Sequence, residues 1–202
     1  MITIHHHPDS TFARRVAMVM IEKNTPHEKV LVDMAARAHR SPAYLALNPY
    51  GRVPTLVEDD FVLYESTAIL DYLEARFPAP PLVPVDARGR ARVAMHMKLC
   101  DLQLARQAGT IIFPRRFLSP ARWNHDAMAL AKAEIETHLA ILDPQLSGRS
   151  YLVADAYSLA DLCYTPFLQF LPLMEITPTP AVAAWAARLL QRPSASRTAP
   201  AR

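Results

Sequence analysis

Two short stretches carry residue types that could recognise a peptide. In Gly51-Arg52-Val53-Pro54-Thr55-Leu56 a proline opens a strand pattern, and proline has no N–H to give a sheet ladder. With a cis Val53–Pro54 bond, the Val53 backbone N–H and C=O turn outward and can pair with a short peptide as a strand would. An ordinary edge-strand proline is the equal alternative at this point. Glu65-Ser66 follows an apolar strand pattern and opens a helical one. Free backbone N–H groups and the positive end of a helix dipole therefore face one spot. A carboxylate fits there, held also by the Ser66 hydroxyl, while Glu65 can take an ammonium group. Ser66 as a plain helix cap is the alternative, and one residue can do both. Together the two stretches describe a receptor for a peptide with an amino-acid head.

Other chemistry is less well supported by the residues. His5 and His7 share a strand face and could begin a metal site, but no further ligands are identifiable, so no metal is expected. Cys100 and Cys163 lie far apart in apolar helical patterns and read as buried structural thiols, which suits a reducing cytosol. The chain has 202 residues, 51% hydrophobic and 20% charged, with a net charge of +3. That composition predicts a well-packed globular protein. The arginines are interspersed with acids rather than gathered in a stripe, so nucleic acid is not the expected partner and a small anionic ligand is compatible. The apolar start Met1-Ile2-Thr3-Ile4 is too short for a signal peptide, and no run reaches membrane-span length. A soluble, cytoplasmic protein is expected.

The elements that must position these residues fall into two halves. Residues 2–7 read as a strand ended by Pro8-Asp9-Ser10. Phe12, Val16, Val19 and Met20 follow at helical spacing, with Arg14, Arg15, Glu22 and Lys23 off that face. Residues 29–32 predict a second strand, residues 34–39 a helical stretch, and residues 44–47 a further turn. Residues 53–57 and 61–64 form a hairpin around Glu58-Asp59-Asp60. Ser66 opens a helix through Arg76. The order β-α-β-α-β-β-α implies a small sheet flanked by helices.

Pro78, Pro80, Pro81 and Pro84 then make a stiff linker. Beyond it only helices are predicted, over residues 88–113, 120–142, 158–171 and 180–192. The last ten residues are too polar and proline-containing to contribute to a core. The domains are therefore 1–77, a linker at 78–87, and an all-helical domain at 88–202. Ser158-Leu159-Ala160-Asp161 has a capping-box pattern, with Tyr157 and Leu162 at staple positions. Its predicted role is nucleation of the helical domain, not chemistry.

Several motifs in order and spacing resemble the glutathione transferase family. They are Ser10-Thr11-Phe12-Ala13-Arg14-Arg15-Val16, His39-Arg40, Leu47-Asn48-Pro49-Tyr50 running into the Gly51 to Leu56 stretch, and Tyr64-Glu65-Ser66-Thr67-Ala68-Ile69. The Ser158 to Asp161 cap extends the resemblance over nearly the whole chain. It implies a thioredoxin-like α/β N-terminal domain followed by an all-α C-terminal domain. It also implies that Val53 and Pro54 present the backbone to the cysteinyl residue of glutathione, and that Glu65 and Ser66 hold its γ-glutamyl group. His39, Arg40 and Arg52 are implied near the glycyl carboxylate. Position 52 departs from the family's usual Gln or Lys, but Arg52 can still grip a carboxylate with two donors.

In serine-type members of that family a hydroxyl before the first helix activates the thiol, five residues ahead of the Arg-Val pair. Ser10 stands at that place, with Thr11 its neighbour if the register slips. Simple capping of the helix is the alternative role for Ser10. No tyrosine lies on the first strand and no cysteine stands near Ser10, which argues against the tyrosine-type and cysteine-type members. The resemblance thus implies glutathione as co-substrate and a small hydrophobic electrophile, in a detoxification-type transfer. The electrophile would sit between Phe12 and the helical domain, where Ile112, Phe113, Phe117 and Tyr164 are candidate walls, although core packing is the commoner role of apolar helix positions. Tyr50 matches the place where some members insert an aromatic key into a partner subunit, so a homodimer is expected.

A second resemblance competes. Tyr72-Leu73-Glu74-Ala75-Arg76-Phe77-Pro78-Ala79-Pro80-Pro81-Leu82-Val83-Pro84-Val85 is similar to the stringent starvation protein A branch of the same fold. That branch implies RNA polymerase as partner and no transferase activity. It typically carries a His where this chain has Ala79.

Overall fold

The computed structural model describes residues 1–200. Two compact units emerge: Met1–Leu82 joined by the segment from Pro193 onward, and Val83–Arg192.

The first unit is built on four strands, β1 (Ile2–His6), β2 (Glu28–Leu31), β3 (Thr55–Glu58) and β4 (Phe61–Tyr64), in the order β2-β1-β3-β4. β1 runs parallel to β2 and antiparallel to β3, and β3 and β4 form the hairpin. Alternation puts Ile2 and Ile4 into the core, both almost fully buried. Above them pack helix α1 (Thr11–Glu22), through Val16, Val19 and Met20, and helix α3 (Ser66–Arg76), through Ile69, Leu70 and Leu73. The short α2 (Pro42–Leu47) is capped by Ser41, whose side chain accepts from the Tyr44 N–H.

Local details differ from the sequence expectation. Residues 34–37 form turns, and only Ala38–Arg40 is helical, as a single 3-10 turn. Glu58 belongs to β3, so the hairpin turn is Asp59-Asp60, with Asp59 at φ +56°. Arg14, Arg15 and Lys23 are buried rather than solvated. Helical periodicity identifies the residues that share a face, but it does not reveal which polar ones meet acceptors inside.

Lys23 shows why such burial is tolerated. The proline-rich linker leaves carbonyls that no neighbouring proline N–H can satisfy. The Lys23 ammonium donates to Phe77 O at 2.7 Å and Pro80 O at 2.9 Å, and it pairs with Glu74 at 2.6 Å. Glu74 in turn accepts the Leu82 N–H at 3.0 Å. Three donors thus meet three acceptors. Lys23→Met is expected to destabilise the protein by about 3 kcal/mol, because it leaves a buried carboxylate without its cation. Chemical denaturation checks this, and the Lys23→Met/Glu74→Leu pair should recover part of the loss.

The tail also differs from expectation. α9 (Pro193–Arg197) lies on α1, with Ser194 and Ala195 buried. The Ser194 hydroxyl donates to Glu22, and an Arg14 guanidinium N–H reaches the Ala195 carbonyl at 3.5 Å. The segment from Pro193 therefore groups with the sheet unit, not with the helical domain that the sequence assigns it to.

The second unit is all-helical. α4 (Ala87–Leu99) and α5 (Arg106–Phe117) are joined without a break by a π-helical turn, Cys100–Ala105. α6 (His125–Leu146) starts at an Asn124 cap, after a separate 3-10 turn at Pro120–Arg122. α7 (Leu159–Leu168) and α8 (Pro180–Leu190) complete the unit. Every residue of α7 is buried, the signature of a central helix. Its N-terminus is organised by Asp161, which accepts from Ser158 N at 3.0 Å and Ser158 Oγ at 2.9 Å. The other carboxylate oxygen accepts from Leu152 N at 3.0 Å and from the Trp185 indole at 2.9 Å. Among the described residues no helix is long and apolar enough to cross a membrane.

Candidate functional site

The turn into β3 is held by residues to which the sequence reading gave no such role. The Arg52 carbonyl accepts from Tyr44 OH at 2.7 Å and from Asn48 Nδ2 at 2.9 Å. Asn48 also donates to Thr55 Oγ1 at 3.1 Å, and its own Oδ1 accepts the Tyr50 N–H. Asn48 and Thr55 are both buried, so these bonds are shielded from water. Gly51 sits at φ +59°, and a Cβ there would lie 2.8 Å from the His39 carbonyl oxygen. Only glycine fits. The Val53–Pro54 bond is cis. Val53 is half-buried and stands before the β3 ladder, which begins at Thr55.

Glu65 and Ser66 occupy the start of α3. Glu65, not Ser66, is the cap residue, with φ +72° and ψ 114°, a conformation that side-chain-bearing residues rarely adopt. Its carbonyl accepts the first helical N–H, from Ile69, at 3.0 Å. Ser66 is the first helical residue, and its hydroxyl accepts from Arg15 Nη1 at 3.2 Å. Arg15 is wholly buried, and its guanidinium also lies 5.0 Å from the Phe12 ring centroid. The capping role open to Ser66 in the sequence is therefore taken by the backbone at Glu65.

Phe12, Arg52, Val53, Pro54, Glu65 and Ser66 line one small cavity of about 70 Å³. That is room for a few waters or for one charged head group. The floor is Ser66 at a helix N-terminus, and Arg52 and Glu65 supply one charge of each sign at its exposed edge. Such a site suits a zwitterionic α-amino acid head.

The remaining sequence-selected residues are not in the lining of this cavity. Ser10 caps α1, its Oγ accepting the Ala13 N–H at 3.2 Å. Thr11 is the first residue of that helix. Arg40 lies against the Gly51 turn, with Nη1 3.0 Å from where a Cβ would stand. His39 has a buried Nδ1 without a hydrogen-bond partner, and desolvation, then Arg40 and Arg37, hold its pKa below the usual imidazole value. Tyr50 is 60% exposed, its ring 5.8 Å from that of Tyr64. His5 rests edge-on against Tyr44. Among the described residues no group of three or more His, Cys, Asp or Glu could hold a metal.

Core packing, the alternative role of the candidate wall residues, holds for Tyr164 and Ile112. Tyr164 is fully buried in the helical core, edge-on to Trp185 and stacked on His138, with which it shares a 3.0 Å hydrogen bond. Burial, with a smaller contribution from His96, pushes the His138 pKa down to about 4, so the imidazole is neutral at pH 7. Ile112 is also buried, whereas Phe113 and Phe117 are exposed and 5.5 Å apart.

Known proteins match this arrangement along nearly the whole chain. Residues 4–81 match the family model of the glutathione S-transferase N-terminal domain, and residues 113–193 that of the C-terminal domain. Glutathione S-transferase PARB of Nicotiana tabacum is 30% identical over 201 residues, covering 96% of this chain and 94% of the relative. A stringent starvation protein A homolog of Coxiella burnetii is 32% identical over 194 residues, covering 91% and 82%. A glutathione transferase homolog from Sulfitobacter, solved with bound glutathione, superposes with a TM-score of 0.83 at 26% identity, covering 98% and 96%. With both domain models matched and the sheet unit and helical unit in place, the chain belongs to the glutathione S-transferase family.

Proposed function

We propose that the protein is a glutathione transferase that binds glutathione through its γ-glutamyl head and directs the thiol at a small hydrophobic electrophile. The observation that carries this reading is the convergence of Val53, Pro54, Glu65, Ser66 and Arg52 on one cavity at the N-terminus of α3. Here the α3 N-terminus and the Ser66 hydroxyl take the α-carboxylate, and Glu65 takes the α-ammonium. Val53 pairs with the cysteinyl backbone, while Arg52, Arg40 and His39 serve the glycyl carboxylate. The Ser10 hydroxyl donates a hydrogen bond that stabilises the thiolate. A hydroxyl that accepts the Ala13 N–H still has its own proton to give, so capping and activation are compatible. The thiol proton leaves to solvent, and the thiolate sulfur bonds to the electrophilic carbon as its leaving group departs with the bonding pair. The protein works as a homodimer with Tyr50 in the interface, in the cytoplasm, where the buried thiols of Cys100 and Cys163 remain reduced.

The test is calorimetric binding of glutathione to wild type and Glu65→Ala, with retention on immobilised glutathione as a second readout. Wild type should bind, and Glu65→Ala should bind about tenfold more weakly or worse, as loss of a charge-assisted bond requires. Absence of binding by wild type would sink the reading.

The 32% identity to a stringent starvation protein A homolog favours a second reading, a regulator that binds RNA polymerase. The lining of the glutamyl cavity argues for the enzyme, as does Ala79 at the place where that branch carries His. Co-purification with RNA polymerase together with failure to bind glutathione would reverse the order.

A further inference from the structure

We propose that Arg15 is a positioning residue for the glutamyl head, orienting the Ser66 hydroxyl so that its proton faces the incoming carboxylate. The inference rests on the glutathione reading above. Arg15 lies on α1, fully buried, and its guanidinium engages two residues of the cavity lining at once. Nη1 donates to Ser66 Oγ at 3.2 Å, and the guanidinium carbon lies 5.0 Å from the Phe12 ring centroid.

The direction of the hydrogen bond decides the role. Arginine carries donors and no acceptor, whereas a serine hydroxyl has one proton and two lone pairs. With a lone pair occupied by Arg15, Ser66 cannot aim its proton at the guanidinium. A carboxylate only accepts, so the orientation that the ligand needs is among those that Arg15 leaves open. The donor chain Arg15 to Ser66 to carboxylate runs one way, and each bond polarises the next in a site shielded from water. The buried positive charge one side chain behind the carboxylate acts in the same sense. Lysine would supply the charge but not the planar head that bridges Ser66 and Phe12.

The experiment compares binding of S-hexylglutathione with that of S-hexyl-cysteinylglycine, which lacks the γ-glutamyl head. The proteins are wild type, Arg15→Met, Arg15→Lys, Ser66→Ala and the Arg15→Met/Ser66→Ala pair. Arg15→Met should weaken S-hexylglutathione about 10- to 100-fold and leave S-hexyl-cysteinylglycine unchanged. Its KM for glutathione should rise with little change in kcat. The double variant should be no weaker than the more impaired single variant, because both remove the same donor chain. If Arg15→Met does not fold, Arg15→Lys carries the test with the same ligand selectivity and a smaller effect. Equal weakening of both ligands, or effects of Arg15 and Ser66 that multiply, would overturn the proposal. Wild type that binds neither ligand overturns the glutathione reading itself, and this inference with it.

Discussion

Asp161→Ala is expected to unfold the helical unit near room temperature or to destabilise it by at least about 4 kcal/mol. The carboxylate is fully buried and accepts from four groups: the Leu152 and Ser158 N–H groups, the Ser158 hydroxyl and the Trp185 indole. Alanine leaves these donors in a dry core, and each unsatisfied donor costs on the order of 1–3 kcal/mol. Burial raises the Asp161 pKa, against the opposing pull of those hydrogen bonds, so the carboxylate is strained electrostatically yet held by its partners. Asp161→Asn offers a graded check. Its single amide oxygen can serve Leu152 and Trp185, while its NH2 faces the Ser158 N–H, donor against donor. It should fall between wild type and alanine in urea unfolding followed by Trp185 fluorescence. An alanine variant within about 1 kcal/mol of wild type would show that the cap does not hold the unit together.

Ser10→Ala is expected to lower kcat/KM for conjugation about 100-fold or more, the usual consequence of removing a single preorganised donor to a reacting anion. Glutathione affinity should hardly change, because the cavity lined by Val53, Glu65 and Ser66 does not include Ser10. The pH–rate profile separates this from a folding effect. Without its donor the bound thiol should titrate close to its free value of about 8.5, so activity at pH 7 falls and partly returns as pH rises. Loss of the α1 cap costs only about 1 kcal/mol, too little to empty the folded state. Thr11→Ala should behave like wild type. Should activity survive Ser10→Ala and fall with Thr11→Ala, the activator is Thr11 and the glutathione grip is unaffected.

The elements around the site were legible where short-range rules govern them. The short strand at the start of the chain, the proline at position 54 and the Ser158–Asp161 spacing are local signals, and each reappears in the structure. Boundaries slipped where backbone hydrogen bonding and not side-chain pattern sets them, as in the 3-10 turn at Ala38–Arg40 and the separate turn before α6. The site was legible as a set of lining residues, but its support was not. Tyr44 and Asn48 look like ordinary residues of a short helix and its end, and their role follows only from the Arg52 carbonyl that lies above them.

By itself, then, the sequence determined the element order, the two-part organisation, the family resemblance and most of the residues that line the small cavity at the start of α3. These depend on periodicity, turn chemistry and neighbouring residues. Tertiary structure alone decided the pairings across long separations. Arg15 meets Ser66 51 positions away, Lys23 closes the linker carbonyls, the tail from Pro193 returns to α1, and Tyr164 turns to His138 in the core. A buried polar side chain can be recognised only when its partner is known, and folding brings in that partner from elsewhere in the chain.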